Sequence, residues 1–552
     1  MRLSLIWFGV VLLLALIAAA CGDLHTNRSP TAAAANPSPA LPALPVVPPA
    51  KLAKPGGAID DTRPTPQAQP NQWRSVVVAR WAAITDQRRD VLDLTLADVV
   101  RILRGDDRNW SVLGGSAQPL IVFLPAAQAV RIATALGLSV SELKATLLPD
   151  EQLIERVAAT PGAFALVEPE QLRLGVMALT MNGHDPYRDP AKHSPLRQVR
   201  WISARSYAVA QTLIRAIGME VAPTFDPAGM VVTGELIPVR CTNAVLAALD
   251  DYDAMFDGVR ELIAAADIAV APLEHPLTDQ AELTPCRRTV IFTGSHRAVP
   301  AIANAGFDVV LTIGNHMLDC WRGCSGIAAL RETLTRLHAV GLVTAGAGEN
   351  LEAARTPALA QTGTAEDSVS FAFLGYDIIA PWYAATDERP GVAPLTARSV
   401  REDIKAAQQL ADHVIVGANW GTEYVSNPNR FQRDIGGIVM DAGATLLIGN
   451  HPHWVQAVEH VDDGLVAYSF GNFVFDQNWS VPTTQGMLME LGFTAERLLG
   501  YRIRPVVIRG GSGVHHSIYR PEFVNPAGEG RAILRRIWQA QDRLPKRAGV
   551  SE

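Results

Sequence analysis

The chain has 552 residues, with 48 Lys and Arg against 55 Asp and Glu, a net charge of −7 and a pI near 6.0. That balance provides no basic footprint, which excludes a nucleic-acid-binding role built on phosphate contacts. The length exceeds what one hydrophobic core holds, and a hydrophobic content of 48% is that of a globular protein, so two or three domains are expected.

Met1-Arg2 is followed by an apolar run from Leu5 to Ala20 that ends at Ala18-Ala19-Ala20-Cys21. The run is at the short end for a spanning helix and is closed by small residues, so residues 1–21 read as a signal segment. Small residues directly before a cysteine resemble a bacterial lipobox. That resemblance implies cleavage before Cys21 and lipid attachment to it, leaving an extracytoplasmic chain anchored to the cell membrane; an uncleaved anchor is the alternative. Residues 22–72 are rich in Pro, Ala, Ser and Thr, as in Pro37-Ser38-Pro39-Ala40-Leu41-Pro42. Such a segment buries too little apolar surface to offset its ordering entropy, and reads as a linker. No later stretch is apolar for long enough to cross a membrane.

Besides Cys21 there are Cys241, Cys286, Cys320 and Cys324, an even number that in an oxidising compartment favours disulfides. Cys320 and Cys324 lack the second Cys pair that a zinc site would need. The expected pairs are Cys320 with Cys324 and Cys241 with Cys286.

A first folded unit is expected over residues 73–205. Thr95-Leu96-Ala97-Asp98 forms a capping-box-like start, Val99, Val100, Ile102 and Leu103 form the apolar face of a helix, and Gly105-Asp106-Asp107 is a turn. The stretches Gly105 to Gly115, including Asn109-Trp110, and Thr160-Pro161-Gly162-Ala163-Phe164-Ala165-Leu166-Val167 resemble pieces of the phosphate-type periplasmic solute-binding proteins. The Ser/Gly-rich phosphate-cradling loop of that family is missing, as is length for two complete lobes. The resemblance therefore implies a partial, one-lobed α/β binding module, with a spacer that binds nothing as the alternative.

A second unit, residues 221–515, alternates short apolar runs with helical stretches, and residues 516–552 read as a C-terminal extension. Strands are expected at Met230 to Thr233, Asp267 to Leu273, Asp308 to Ile313, Val414 to Ala418 and Thr445 to Ile448. Helices are expected at Ala244 to Ala265, Val299 to Ala305, Ile327 to Val340 and Phe431 to Ala442. Such alternation predicts an α/β fold of layered βαβ type, whose functional groups gather at strand carboxyl ends. His451 and His453, separated by Pro452, follow the last of these strands and form the kind of imidazole pair that holds borderline metals. Glu235, Glu274, Asn315, His316 and Asn419 follow the others, and all are expected at one sheet edge. Carboxylates and neutral imidazoles suit Mn, Fe or Zn.

Thr233-Gly234-Glu235, Pro272-Leu273-Glu274, Gly314-Asn315-His316-Met317-Leu318-Asp319, Asn419-Trp420-Gly421, Gly449-Asn450-His451-Pro452-His453 and Tyr468-Ser469-Phe470-Gly471-Asn472-Phe473 resemble the ordered motif series of the CapA family, linked to poly-gamma-glutamate capsule synthesis. The resemblance implies a calcineurin-like metallophosphoesterase sandwich and two divalent ions. Carried over residue by residue, Glu235 and His453 would hold one ion, Glu274 would bridge, and Asn315, His451 and Asn419 would hold the other. His316 would act as general acid or as a donor to developing charge, with Asp319 as its partner. Three positions depart from the pattern: Glu235 replaces the usual Asp, Asn419 the usual His, and Pro272 the usual Asn. The implied function is a two-metal hydrolase of capsule or cell-surface polymer metabolism, acting on a polymer or phosphoester beside a capsule synthesis or export complex. The alternative is an accessory lipoprotein that guides exported polymer with a vestigial metal site.

Overall fold

The computed structural model describes residues 72–363, 368–510 and 518–545, all within the compact unit Leu44–Glu552. The signal segment, Cys21 and all of the linker but Gln72 lie outside the described residues. None of the described helices is long and apolar enough to cross a membrane.

The amino-terminal region is built on a five-stranded sheet in the spatial order Thr146–Leu148, Ile121–Pro125, Ala163–Val167, Ala82–Asp86, Val176–Ala178. Thr95 and Asp98 form the expected reciprocal cap on the helix Leu96–Arg104, which Gly105 ends in the left-handed conformation at φ 74°. Val99, Ile102 and Leu103 are buried, whereas Val100 is only partly covered. The indole Nε1 of buried Trp110 donates to the Gly162 carbonyl at 2.9 Å, joining the two stretches that carry the solute-binding resemblance.

The larger region consists of two packed sheets. In the nine-stranded sheet, Ala228–Val232, Ile268–Leu273, Val309–Thr312 and Val343–Ala345 run parallel, and the antiparallel strands Gln485–Phe493, Leu498–Arg509 and Arg520–Phe523 extend the other side. The six-stranded sheet has Val369–Asp377, His413–Asn419, Leu446–Asn450 and Gly464–Ala467 parallel at its centre. Side chains alternate across each pleat. Val232, Val270 and Leu311 meet Phe371, Phe373, Ile415 and Ile448 between the sheets. Val231, Ala269 and Val310 face outward under Leu246, Ile263 and Ile302, while Val414 and Val416 face Ile404 and Val439. The result is a helix–sheet–sheet–helix sandwich, the layered α/β fold that the alternation implies.

Two expectations change. The helix expected over Ala244 to Ala265 is broken into Arg240–Leu249 and Arg260–Ala265. Asp250 ends the first at φ 56°, and Gly258 passes so close to the Pro521 carbonyl that a Cβ would lie 2.6 Å from it. The ligand-bearing strand ends belong to two abutting sheets and not to one edge. A strand buried on both faces is a continuous apolar run in either sheet, so its sequence carries no mark of which sheet it joins. The disulfides are Cys241–Cys286 and Cys320–Cys324, as expected. Beyond residue 516, the strand Arg520–Phe523 edges the larger sheet, and the helix Arg531–Asp542 buries Ile533, Leu534 and Ile537 in the core between the sheets.

The amino-terminal sheet is joined to the larger one through a buried charge cluster. Arg502, fully buried, pairs with Asp185 and lies 3.3 Å from Glu490, with its guanidinium 5.1 Å from the Tyr187 ring. Arg502→Ala would leave Asp185 buried without its cation. It is expected to lower unfolding free energy by about 3–5 kcal/mol in denaturant titrations, and a loss below about 1 kcal/mol would contradict this role.

Candidate metal centre

Three glycines set the spacing of the site, because backbone and side chains approach where any Cβ would intrude. At Gly314 a Cβ would fall 2.2 Å from the Glu274 backbone, at Gly234 2.2 Å from the Gly471 carbonyl, and at Gly449 2.1 Å from the Tyr468 carbonyl. The strand ends are thereby drawn together from both sheets. His451 and His453 flank Pro452 at φ 91° and 56°, sparsely populated values for residues with a Cβ. This turn aims the His451 backbone N–H at Glu235 Oε1, 2.5 Å away.

Glu235, Glu274 and His453 are all buried, and one ligand atom from each lies within 4.8 Å of the others. His453 Nδ1 is 2.7 Å from Glu235 Oε2 and 2.9 Å from Asn472 Oδ1. Among the described residues, both carboxylate oxygens of Glu274 lack a hydrogen-bond partner, and so does Glu235 Oε2, whose approach to His453 is an ion-pair distance without hydrogen-bond alignment. Burial pushes the Glu274 carboxyl up to about 7, with the charge of Glu235 adding to it. Burial works against protonation of His453, but Glu235 outweighs it and lifts the imidazole to about 9. The protonated His453 is then a single cation set against two buried acids.

The other expected donors bond to one another. Asn419 Nδ2 donates to Asn315 Oδ1 at 3.0 Å and to Asp377 Oδ1 at 2.7 Å, and His451 Nδ1 lies 3.2 Å from Asn315 Oδ1. Burial, and then the charge of His453, push His451 down to about 3, so it is a neutral imidazole. His316 Nδ1 is 2.7 Å from Asp319 Oδ2, and Asp319 Oδ1 accepts from the Tyr383 hydroxyl at 3.0 Å. Burial lowers the His316 pKa, yet Asp319 and Glu274 hold it above the ordinary imidazole value.

The structure thus brings Glu235, Glu274 and His453 together, ties Asn315, Asn419 and His451 into a chain, and pairs His316 with Asp319. Sequence reasoning missed Asp377, which ends an apolar run in a strand absent from the expected alternation. Asn472, read only as part of the Tyr468 to Phe473 motif and given no role at the metal, holds His453, and Tyr383 carried no signal. Trp420, by contrast, is fully buried core, with Nε1 donating to the Tyr468 carbonyl at 3.0 Å.

Residues 229–477 match a family profile described as Bacterial capsule synthesis protein PGA_cap. Over 229 residues the chain is 30% identical to the PGA biosynthesis protein CapA of Bacillus subtilis (strain 168), covering 41% of this chain and 58% of that protein. The chain spans little more than half the length of the curated relatives it matches, 58% and 55% for two of them. Among solved structures, the NAD nucleotidase of Haemophilus influenzae aligns with TM-score 0.28 and 9% identity, covering 56% of this chain and 55% of that one. An ABC-type phosphate transport receptor from Vibrio cholerae aligns with TM-score 0.22 and 17% identity, covering 27% of this chain and 73% of that one. Residues 229–477, the stretch similar to the bacterial capsule synthesis proteins, carry the whole motif series from Glu235 to Asn472.

Proposed function

We propose that this protein is an extracytoplasmic, membrane-anchored hydrolase of capsule or cell-surface polymer metabolism that depends on a divalent ion held by Glu235, Glu274 and His453. The observation that carries the reading is the Glu274 carboxylate, buried beside a second acid with neither oxygen hydrogen-bonded. Stranding a polar group in this way costs several kcal/mol unless a ligand completes it, and two carboxylates with one imidazole suit Mn, Fe or Zn. A bound ion would lower the pKa of a coordinated water and polarise a phosphoryl or carbonyl oxygen. The chain's own residues supply the rest. Asn472 fixes the His453 ring, and Asp319, itself held by Tyr383, keeps the proton on His316 Nδ1. His316 Nε2 is then the atom that exchanges a proton with a leaving group. The substrate is a phosphoester or a gamma-linked glutamate amide, and lipid attachment at Cys21 supplies the anchor. The accessory reading, a lipoprotein that guides polymer without catalysis, draws support from the hydrogen bonds that occupy Asn315, Asn419 and His451.

Glu274→Gln keeps the shape and removes the charge. It is expected to reduce both retained Mn and hydrolysis of an aryl phosphodiester by at least about 100-fold while circular dichroism stays unchanged. A wild-type chain with no bindable Mn, Fe or Zn and no hydrolysis would leave only the accessory reading. Because an ion displaces protons from Glu274, near 7, and His453, near 9, apparent Mn affinity should rise with pH, on the order of tenfold per unit across that interval. Affinity independent of pH would contradict that donor set. Cys21→Ser is expected to move the chain from the membrane to the soluble fraction, whereas continued membrane association would mark an uncleaved anchor.

A further inference from the structure

The second ion implied by the family resemblance does not fit the donors present, and we infer that the centre binds a single ion, with an Asp377–Asn419–Asn315–His451 hydrogen-bond chain occupying the second position. This rests on the proposed metal dependence of the same site and sharpens it.

Asp377 ends the strand Val369–Asp377, side by side with Asn419 at the end of His413–Asn419. Its orientation is set by backbone donors: Oδ1 accepts from Ile379 N–H at 3.2 Å and Oδ2 from Ala380 N–H at 2.8 Å. Oδ1 also accepts from Asn419 Nδ2 at 2.7 Å, which decides the orientation of the Asn419 amide. Turned the other way, the Asn419 carbonyl oxygen would face Asp377 Oδ1 and Asn315 Oδ1, two acceptors, with no proton between them. The atom that Asn419 presents to the second position is therefore an amide nitrogen, whose lone pair is delocalised and does not bind metals.

Asn315 Oδ1 in turn accepts from Asn419 Nδ2 at 3.0 Å and from His451 Nδ1 at 3.2 Å, which fills both acceptor positions of a carbonyl oxygen. His451 Nδ1 is committed as the donor in that bond. Asn315 and Asn419 are spent on this chain, which leaves His451 Nε2 as a lone imidazole nitrogen at the second position, too few donors for an ion, whereas the oxygens of Glu274 are spent on nothing. Among the described His, Cys, Asp and Glu residues, the group whose ligand atoms converge is Glu235, Glu274 and His453, and His451 and Asp377 stand outside it. Asp377 is thus a positioning residue, acting through Asn419.

The test is metal stoichiometry and electron paramagnetic resonance of the full chain equilibrated with Mn2+ and freed of excess ion. A single ion per chain with the six-line signal of isolated Mn2+ is expected. Two ions with an exchange-coupled signal would overturn the inference and leave the metal-dependent reading standing, whereas no ion would overturn both. Asn419→His removes the bridging amide and adds an imidazole, so its Mn content is expected to rise above that of the wild type. A folded variant that still holds a single ion would overturn the assignment of the amide as the closing group.

Discussion

Glu235 and Glu274 are two acids removed from water within reach of one another, and a single imidazole, His453, stands between that arrangement and a large desolvation cost. The surrounding geometry serves this constraint. Close approaches at Gly234 and Gly314 bring the acid-bearing loops in, the turn at His451 supplies a backbone N–H to Glu235, and Asn472 holds the imidazole. A protonated His453 balances one of the two charges. The unbonded oxygens of Glu274 show how much is left for a divalent cation to do.

The seam between the sheets explains why such a site exists here. The larger sheet contributes the acids together with Asn315 and His316, and the smaller one contributes Asp377, Asn419 and the two histidines. Packing of Val232, Val270 and Leu311 against Phe371, Phe373 and Ile415 holds the two sets in register. The positive φ values at His451 and His453 place local strain where the sheets meet, and the rigid core on either side sustains it. Nearby, the disulfide Cys241–Cys286 joins the first helix of the larger region to the loop that leads to Phe292, whose ring centroid lies 4.1 Å from that of His316.

Much of this was legible in the sequence. Each apolar run expected as a strand in the larger region is one, and the residues picked from strand ends do gather at one place. Both disulfide pairs also follow from the sequence reading. What the sequence did not show was set by tertiary context. Ile268–Leu273 and His413–Asn419 look alike as buried apolar runs, so nothing in them separates one sheet from two. Asp377 was invisible as a single acid after an apolar run, because its meaning comes from the neighbouring Asn419. The amide chain itself depends on which atom of each side chain faces which, a matter of orientation that residue identity leaves open.

The proposed divalent cation would lie among Glu235, Glu274 and His453. An anomalous difference map at the manganese edge, from crystals of the protein grown with Mn2+, tests that most directly. The predicted result is one peak bounded by those three side chains, with Asn419 still bonded to Asp377 and Asn315. The absence of a peak there, or a second peak ligated by Asn315, Asn419 and His451, would contradict it.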